Sequence, residues 1–323
     1  MKKILFALCA VATLASCTKN EVLNLNQEAI DFGTAFVDNG TRATDEFTIE
    51  THELFDFNVW ATTQRPKQGG VEQPITPILK EVIVCRPDLA SDWVYPTAYT
   101  QYWIPGNTYQ FAAAKNYDAV ALVNGVPATF DYDAAGQRDL LYAADTRVGQ
   151  EAGANAKVAF TFDHLLSKAY FTVDTNQMSG DNANYTYRVT NICINDAVKE
   201  AAYDVASKTW NGVSTYDVDF EDVNTAAKLA ANGVYTSDYA RLLVPATYDD
   251  LNITCTIETL YGDAVIDVQN YNKSISQNFV KGFVYNFVLA LKDPGQPIEF
   301  TVTRVNEWIP TGDANNQTPI PGL

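Results

Sequence analysis

Apolar residues along this 323-residue chain recur mainly at every second position. Phe55, Phe57 and Val59 alternate with Asp56, Asn58 and Trp60, and Val158, Phe160 and Phe162 alternate with Ala159, Thr161 and Asp163. The same period runs through Leu251, Ile253, Cys255 and Ile257, through Phe283, Tyr285, Phe287 and Leu289, and through Ile298, Phe300 and Val302. Successive side chains of a strand point to opposite faces, so each segment predicts a strand with one face on a core. A further strand is expected over Ala169 to Val173. Turn clusters separate these runs, among them Lys67-Gln68-Gly69-Gly70, Asn124-Gly125, Ala135-Gly136 and Ser179-Gly180-Asp181-Asn182. Val223 to Ala231 is the one stretch that reads as a helix. Many short strands with regular turn signals and 12% aromatic residues predict an all-β fold of antiparallel β-sandwiches rather than a parallel α/β sheet.

The first residues break this pattern. Lys2 and Lys3 precede an apolar run from Ile4 to Leu14, which ends in Leu14-Ala15-Ser16-Cys17. A basic start, a short apolar core and small residues are the grammar of an export signal. The run is well short of the ~20 residues a membrane-spanning helix needs. Its ending looks like a bacterial lipobox, in which the Cys17 thiol is acylated and becomes the first residue of the mature chain. Two or more acyl chains anchor firmly, because each buried CH₂ contributes about 0.8 kcal/mol. The expectation is an exported protein, residues 1–16 its signal segment, tethered to a membrane by lipid on Cys17.

Charge narrows the partners. The formal net charge is −17 and becomes more negative once Lys2 and Lys3 leave. Such a surface repels nucleic-acid phosphates, so no nucleic acid is expected as a partner. With Cys9 in the signal and Cys17 lipidated, Cys85, Cys193 and Cys255 remain, an odd number without metal-ligand spacing. Cys255 lies on the apolar phase of a strand, where a buried thiol fits; a Cys193–Cys255 bridge stays open as an alternative.

Candidate chemistry is sparse. His164 stands beside Asp163, but neighbours on a strand face opposite ways, so the two do not make a dyad and His164 reads as a packed or solvated turn residue. Trp93, Tyr95, Tyr99, Tyr102, Trp103, Tyr109 and Phe111 crowd one stretch; they read as a sandwich core or as a stacking platform for sugars. Acidic pairs such as Asp249-Asp250 and Glu221-Asp222 lack the spacing of a Ca²⁺ loop. No catalytic residue, metal site or cofactor is expected, and nothing in the sequence brings two carboxylates together for glycoside hydrolysis.

Two terminal segments stand apart. Thr18 to Gln27 is a polar tether, followed by AIDFGTAFVD, where Ile30, Phe32 and Phe36 share one phase of a strand. Asn39-Gly40-Thr41-Arg42-Ala43-Thr44 then offers an accessible loop in which an Arg-specific protease would select Arg42. At the other end, Ile298 to Val302 alternates, Trp308 closes the pattern, and Thr311 to Leu323 has none.

In order along the chain, these pieces resemble the fimbrillins, subunits of the type V pili of Bacteroides-like bacteria. The resemblance is carried by Cys17, by the segment Ile30 to Val37, by Thr41-Arg42-Ala43, by Tyr102-Trp103-Ile104-Pro105-Gly106 leading into Tyr109-Gln110-Phe111-Ala112-Ala113, and by Asp139-Leu140-Leu141-Tyr142-Ala143. Phe162-Asp163-His164-Leu165-Leu166-Ser167-Lys168, Gly282-Phe283-Val284-Tyr285-Asn286-Phe287 and Ile298-Glu299-Phe300 to Trp308 complete it. It implies two transthyretin-like β-sandwich domains and a lipoprotein precursor of the outer membrane, cut between Arg42 and Ala43 and displayed on the cell surface as a fimbrium. It also implies polymerisation by strand exchange with other pilus subunits, in homo- or heteropolymers, and adhesion to a host or bacterial surface ligand.

On this reading residues 17–42 are the tether and a removable first strand, 43–167 an N-terminal sandwich and 168–323 a C-terminal sandwich. Departure of Ile30, Phe32 and Phe36 would open a groove for a neighbour's strand built like Ile298, Phe300 and Val302. Ile298 to Trp308 completing its own domain, with Thr311 to Leu323 as donor, stays open, although Pro319 and Pro321 make that tail a poor strand. The alternative to a pilin is a non-polymerising surface lipoprotein that binds glycans through Trp103 and its neighbours.

Overall fold

The computed structural model describes residues 28–37, 54–88, 90–177, 184–220, 229–230, 233–237, 240–293 and 298–307, without the side chains of 36–37 and 303–307. Strands dominate, as the period-2 pattern requires. The first eight are β1 (Phe32–Val37), β2 (Asp56–Gln64), β3 (Ile75–Cys85), β4 (Thr108–Lys115), β5 (Ala119–Val123), β6 (Val126–Asp133), β7 (Leu141–Val148) and β8 (Val158–His164). Then follow β9 (Ser167–Gln177), β10 (Tyr185–Val198), β11 (Glu200–Asp204), β12 (Thr209–Gly212), β13 (Thr215–Asp219), β14 (Val234–Thr236) and β15 (Arg241–Leu243). The long β16 (Thr247–Tyr261) and β17 (Ala264–Asn278) precede β18 (Phe283–Lys292) and β19 (Glu299–Glu307). Two single 3₁₀ turns are the only helical elements among the described residues, and no helix there is long and apolar enough to cross a membrane. Of the segment expected to be helical, only Leu229 and Ala230 are described, and Leu229 forms a β-bridge with Tyr187. Phe55 precedes its strand and is exposed.

The first core lies inside the ladder β1-β8-β7-β4-β2-β3. Phe57 of β2 touches Phe160 and Phe162 of β8, with ring centroids 5.7 and 5.3 Å apart. Three strand spacings separate β2 from β8 in the ladder, roughly 14 Å in a flat sheet, so the ladder folds over on itself. The fold is at β7–β8, where only Leu141↔His164 and Tyr142↔Asp163 are paired. Trp93 and Trp103, from the irregular stretch between β3 and β4, close this core.

The second core is a two-layer sandwich of β13-β10-β16-β17 and β14-β9-β18-β19. Leu251, Ile253, Cys255 and Ile257 of β16 face Phe171, Val173, Phe287 and Leu289 of β9 and β18. The alternation expected for these runs is met. Two pairings depart from the expected antiparallel order: β1 runs parallel to β8 and β9 parallel to β18.

A fourth sheet, β12-β11-β6-β5, draws strands from both sides of residue 167, through Tyr203↔Phe130 and its neighbours. Trp60, Phe130, Tyr132, Leu165, Leu166, Tyr203 and Leu242 pack there as a third buried cluster. This explains why β2 buries Val59, Trp60, Ala61 and Thr62 in succession: cores lie on both of its faces.

Candidate functional site: the first strand and the last

The segment 28–37 is held from two sides. On one, Ile30 N–H donates to Gln101 O at 2.8 Å and Trp103 N–H donates to Glu28 O at 2.9 Å. On the other, Val158 N–H donates to Asp31 O at 2.8 Å, and β1 continues alongside β8 in register Phe32↔Val158 and Ala35↔Phe160. Ile30, Phe32 and Ala35 are buried in the first core. The Phe32 ring stands 5.4 Å from that of Tyr95 and 6.0 Å from that of Phe160. The Tyr95 hydroxyl donates to Ile30 O at 2.7 Å, and burial raises its pKa above the usual phenol value.

The single phase expected for Ile30, Phe32 and Phe36 is interrupted. A register shift between Phe32 and Ala35 makes Ala35 the next buried residue, so the alternation changes parity. Gly33 sits in that irregularity, where a Cβ would lie 3.1 Å from Lys157 Cβ. The backbone of Phe36 pairs with Thr161; its side chain lies outside the described ones.

Glu28 anchors the start of the segment. Its Oε2 accepts from Asn155 Nδ2 at 2.8 Å, Gly153 N–H at 2.9 Å and Asn155 N–H at 3.3 Å. The Asn155 amide above all, helped by the two backbone donors, holds the Glu28 pKa below its usual value against an opposing desolvation. Glu28, Trp103, Pro105, Gln150 and Asn155 line a small cleft of about 70 Å³ at this point. Sequence reasoning missed this contact, because 127 residues separate the partners.

Cys17, Arg42 and Ala43 lie outside the described residues. At the other terminus, β19 pairs antiparallel with β18, Val302 opposite Phe287 and Phe300 opposite Leu289. Ile298, Phe300 and Val302 pack half-buried on the second core, the Phe300 ring 6.3 Å from Phe171 and 6.2 Å from Phe287. In this arrangement the C-terminal strand completes its own sandwich.

The remaining candidates resolve into structure. Trp93, Trp103, Tyr109 and Phe111 are core residues and Tyr95 packs against them; Tyr99 is exposed. His164 ends β8, buried, with Nδ1 at 2.6 Å from Asp139 Oδ2 rather than paired with Asp163. Cys193 lies opposite Thr254 while Ile194 lies opposite Ile253. Opposed residues share a face, so Cys193 and Cys255 are on different faces of the sheet, and both are free thiols. Among the described residues no group of three or more His, Cys, Asp or Glu is placed to hold a metal.

A fimbrillin-like family profile matches residues 41–308. Among solved structures, a fimbrial protein from Bacteroides vulgatus is 14% identical, with 88% of this chain and 100% of that one aligned at a TM-score of 0.58. A candidate cell adhesion protein from Bacteroides uniformis is 17% identical, with 88% and 99% aligned at 0.51. Another from Bacteroides ovatus is 13% identical, with 88% and 98% aligned at 0.52. At these identities the likeness is one of fold. No curated protein sequence matches the chain. With the profile spanning most of its length over an all-β sandwich-type fold, the chain belongs to the fimbrillin-like family.

Proposed function

We propose that this protein is a structural subunit of a cell-surface pilus, exported as an outer-membrane lipoprotein through Cys17, cut between Arg42 and Ala43, and polymerised by β-strand exchange to serve adhesion. Membership of the fimbrillin-like family supports the pilus subunit. The observation that carries the exchange step is the two-sided seating of residues 28–37, upstream of Arg42, between Gln101–Trp103 and β8. Once the chain is cut at Arg42, these residues are no longer covalently part of the domain they fill.

Their departure would leave Gln101 O, Trp103 N–H and Val158 N–H unpaired, and would empty the places of Ile30, Phe32 and Ala35. A slot with main-chain groups on both rims and apolar pockets between them selects an extended, alternating strand. Filling the two large pockets of Ile30 and Phe32 at roughly 1.5–3 kcal/mol each, with the small place of Ala35 beside them, makes a joint that is slow to part. A head-to-tail contact of this kind does not close on itself and builds a filament with other subunits, of the same or another kind. Ile298, Phe300 and Val302 have the right alternation, but donating them requires β19 to leave β18. Residues 43–167 and 168–323 are proposed as the two sandwich domains.

The test is mass spectrometry of the N-terminus of protein sheared from intact cells. A start at Ala43 together with a high-mass ladder supports the reading. A start at lipidated Cys17, or normal polymer from an Arg42→Ala variant, overturns it.

A further inference from the structure

Among the described residues, the longest sheet edge has no partner on its outer side. β17 spans 15 residues, pairs with β16 on one side only, and ends its sheet. A tight turn at Gly262-Asp263, with Gly262 at φ +61°, joins the two strands through Tyr261↔Ala264. An unpaired row of N–H and C=O groups is a template for another strand, and proteins blunt such rows by shortness, proline, bulges or charge. Most other edges are blunted: β5, β12, β13 and β14 have five residues or fewer, and β3 carries Pro77 and a positive-φ Glu81; β1 and β19, at six and nine residues, are shorter than β17. β17 has no proline and one lysine, Lys273, and its one bulge, at Ile266 near the turn, leaves 267–275 in one regular register. Residues 264–270 are exposed on both faces, Val265 by 45%, Ile266 by 55% and Val268 by 55%.

The sequence of this edge complements itself. An antiparallel two-fold places same-face residues opposite each other, so the sum of paired residue numbers must be even. With the two-fold at Asn270, Asp267 faces Lys273 of the second copy and Lys273 faces its Asp267. In the same register Gln269 meets Tyr271, twice by symmetry, within the stretch 267–275 that keeps one regular register with β16. A two-fold at Tyr271 instead puts Asp267 against Ile275, and one at Gln269 carries Lys273 past the bulge at Ile266, out of the regular stretch. Within one chain Asp267 and Lys273 are about 20 Å apart along the strand and cannot pair. Asp267 accepts only from Gln269, at 2.9 Å, and Lys273 has no ion-pair partner among the described residues.

We infer that β17 is a self-association edge: two copies of this chain pair β17 to β17 about Asn270, joining two four-stranded sheets into one of eight. The contact is isologous and closes at two copies, so it differs from head-to-tail exchange and would tie subunits side by side. It stands whether or not the chain polymerises through its termini.

The experiment is sedimentation analysis of the purified, uncleaved full chain over a concentration series, with thermal melting to verify that each variant folds. A concentration-dependent dimer is expected. Asp267→Lys and Lys273→Asp, each creating two like-charge contacts, should raise its dissociation constant by about tenfold or more. The double variant D267K/K273D rebuilds both pairs reversed and should return to near the original value. A monomer at every concentration, a dimer indifferent to either single reversal, or a double variant as weak as the singles would each overturn the inference.

Discussion

Asn155 holds Glu28 by two donors at once: its side-chain amide lies 2.8 Å and its backbone N–H 3.3 Å from the same carboxylate oxygen. The pair ties the start of the first strand to the loop before β8. Because the folded Glu28 pKa lies below its unfolded value, the contact contributes above the ordinary carboxylate range and is lost as pH falls through the folded pKa. Hydrogen-exchange protection of the Ile30 and Trp103 amides should therefore drop as pH falls below the ordinary carboxylate range. In Glu28→Gln the same amides should be less protected already at neutral pH and show no such step. Equal protection factors in both proteins across that range would exclude Glu28 as the anchor.

Phe32 belongs to a segment that the proposed reaction discards. In the uncleaved chain its ring fills a pocket between Tyr95 and Phe160, so Phe32→Ala should cost about 3–5 kcal/mol in urea unfolding. In processed polymer the residue is gone, and the variant should match the parent in stability. A destabilisation that persists after processing would mean that the strand never leaves.

How far the sequence could be read depended on the range of each contact. The strands β8, β16 and β18 were legible because one face of each meets a continuous core, and Val158, Ile253 and Phe287 announce that face by period alone. The fourth sheet was not: β11 pairs with β6 across about 70 residues, with β12 joined on behind β11, and no local pattern encodes that partnership. Trp60 shows the same limit. Its position among Val59 and Ala61 contradicts a half-buried strand until the third cluster is seen to cover the second face. At the candidate site the identity of Ile30 and Phe32 as core residues was legible, whereas the parity change before Ala35 and the Glu28–Asn155 tie arise from register and from tertiary contact.

Cys193 and Cys255 face opposite sides of their sheet, and no disulfide joins them. Burial, with Asp219 adding to it at Cys193, pushes both thiols up to about 12. The folded protein should melt at the same temperature with and without reductant. Alkylation at pH 8 should be slow for both thiols until denaturant is added, because the thiolate is the reactive form. A reductant-dependent fall in melting temperature would reveal a bridge.

The Gln137 amide spans the seam between residues before and after 167. Its Nε2 donates to Leu242 O at 3.0 Å and its Oε1 accepts from Leu242 N–H at 2.8 Å, satisfying both main-chain groups of one residue in β15. The same amide nitrogen lies 2.9 Å from Ala134 O and 3.2 Å from the Tyr216 hydroxyl. Gln137→Ala leaves the backbone conformation unchanged in kind, since both residues carry a Cβ at the positive φ of 45°. It strips Leu242 of two partners in a buried place, at about 1–3 kcal/mol for each group left unmade. The loss falls on the contact between halves rather than on either core. Circular dichroism and tryptophan fluorescence should therefore trace one unfolding transition in the parent and two separated transitions in Gln137→Ala. A single transition merely shifted to lower denaturant would show that the β6–β11 ladder alone suffices to couple the halves.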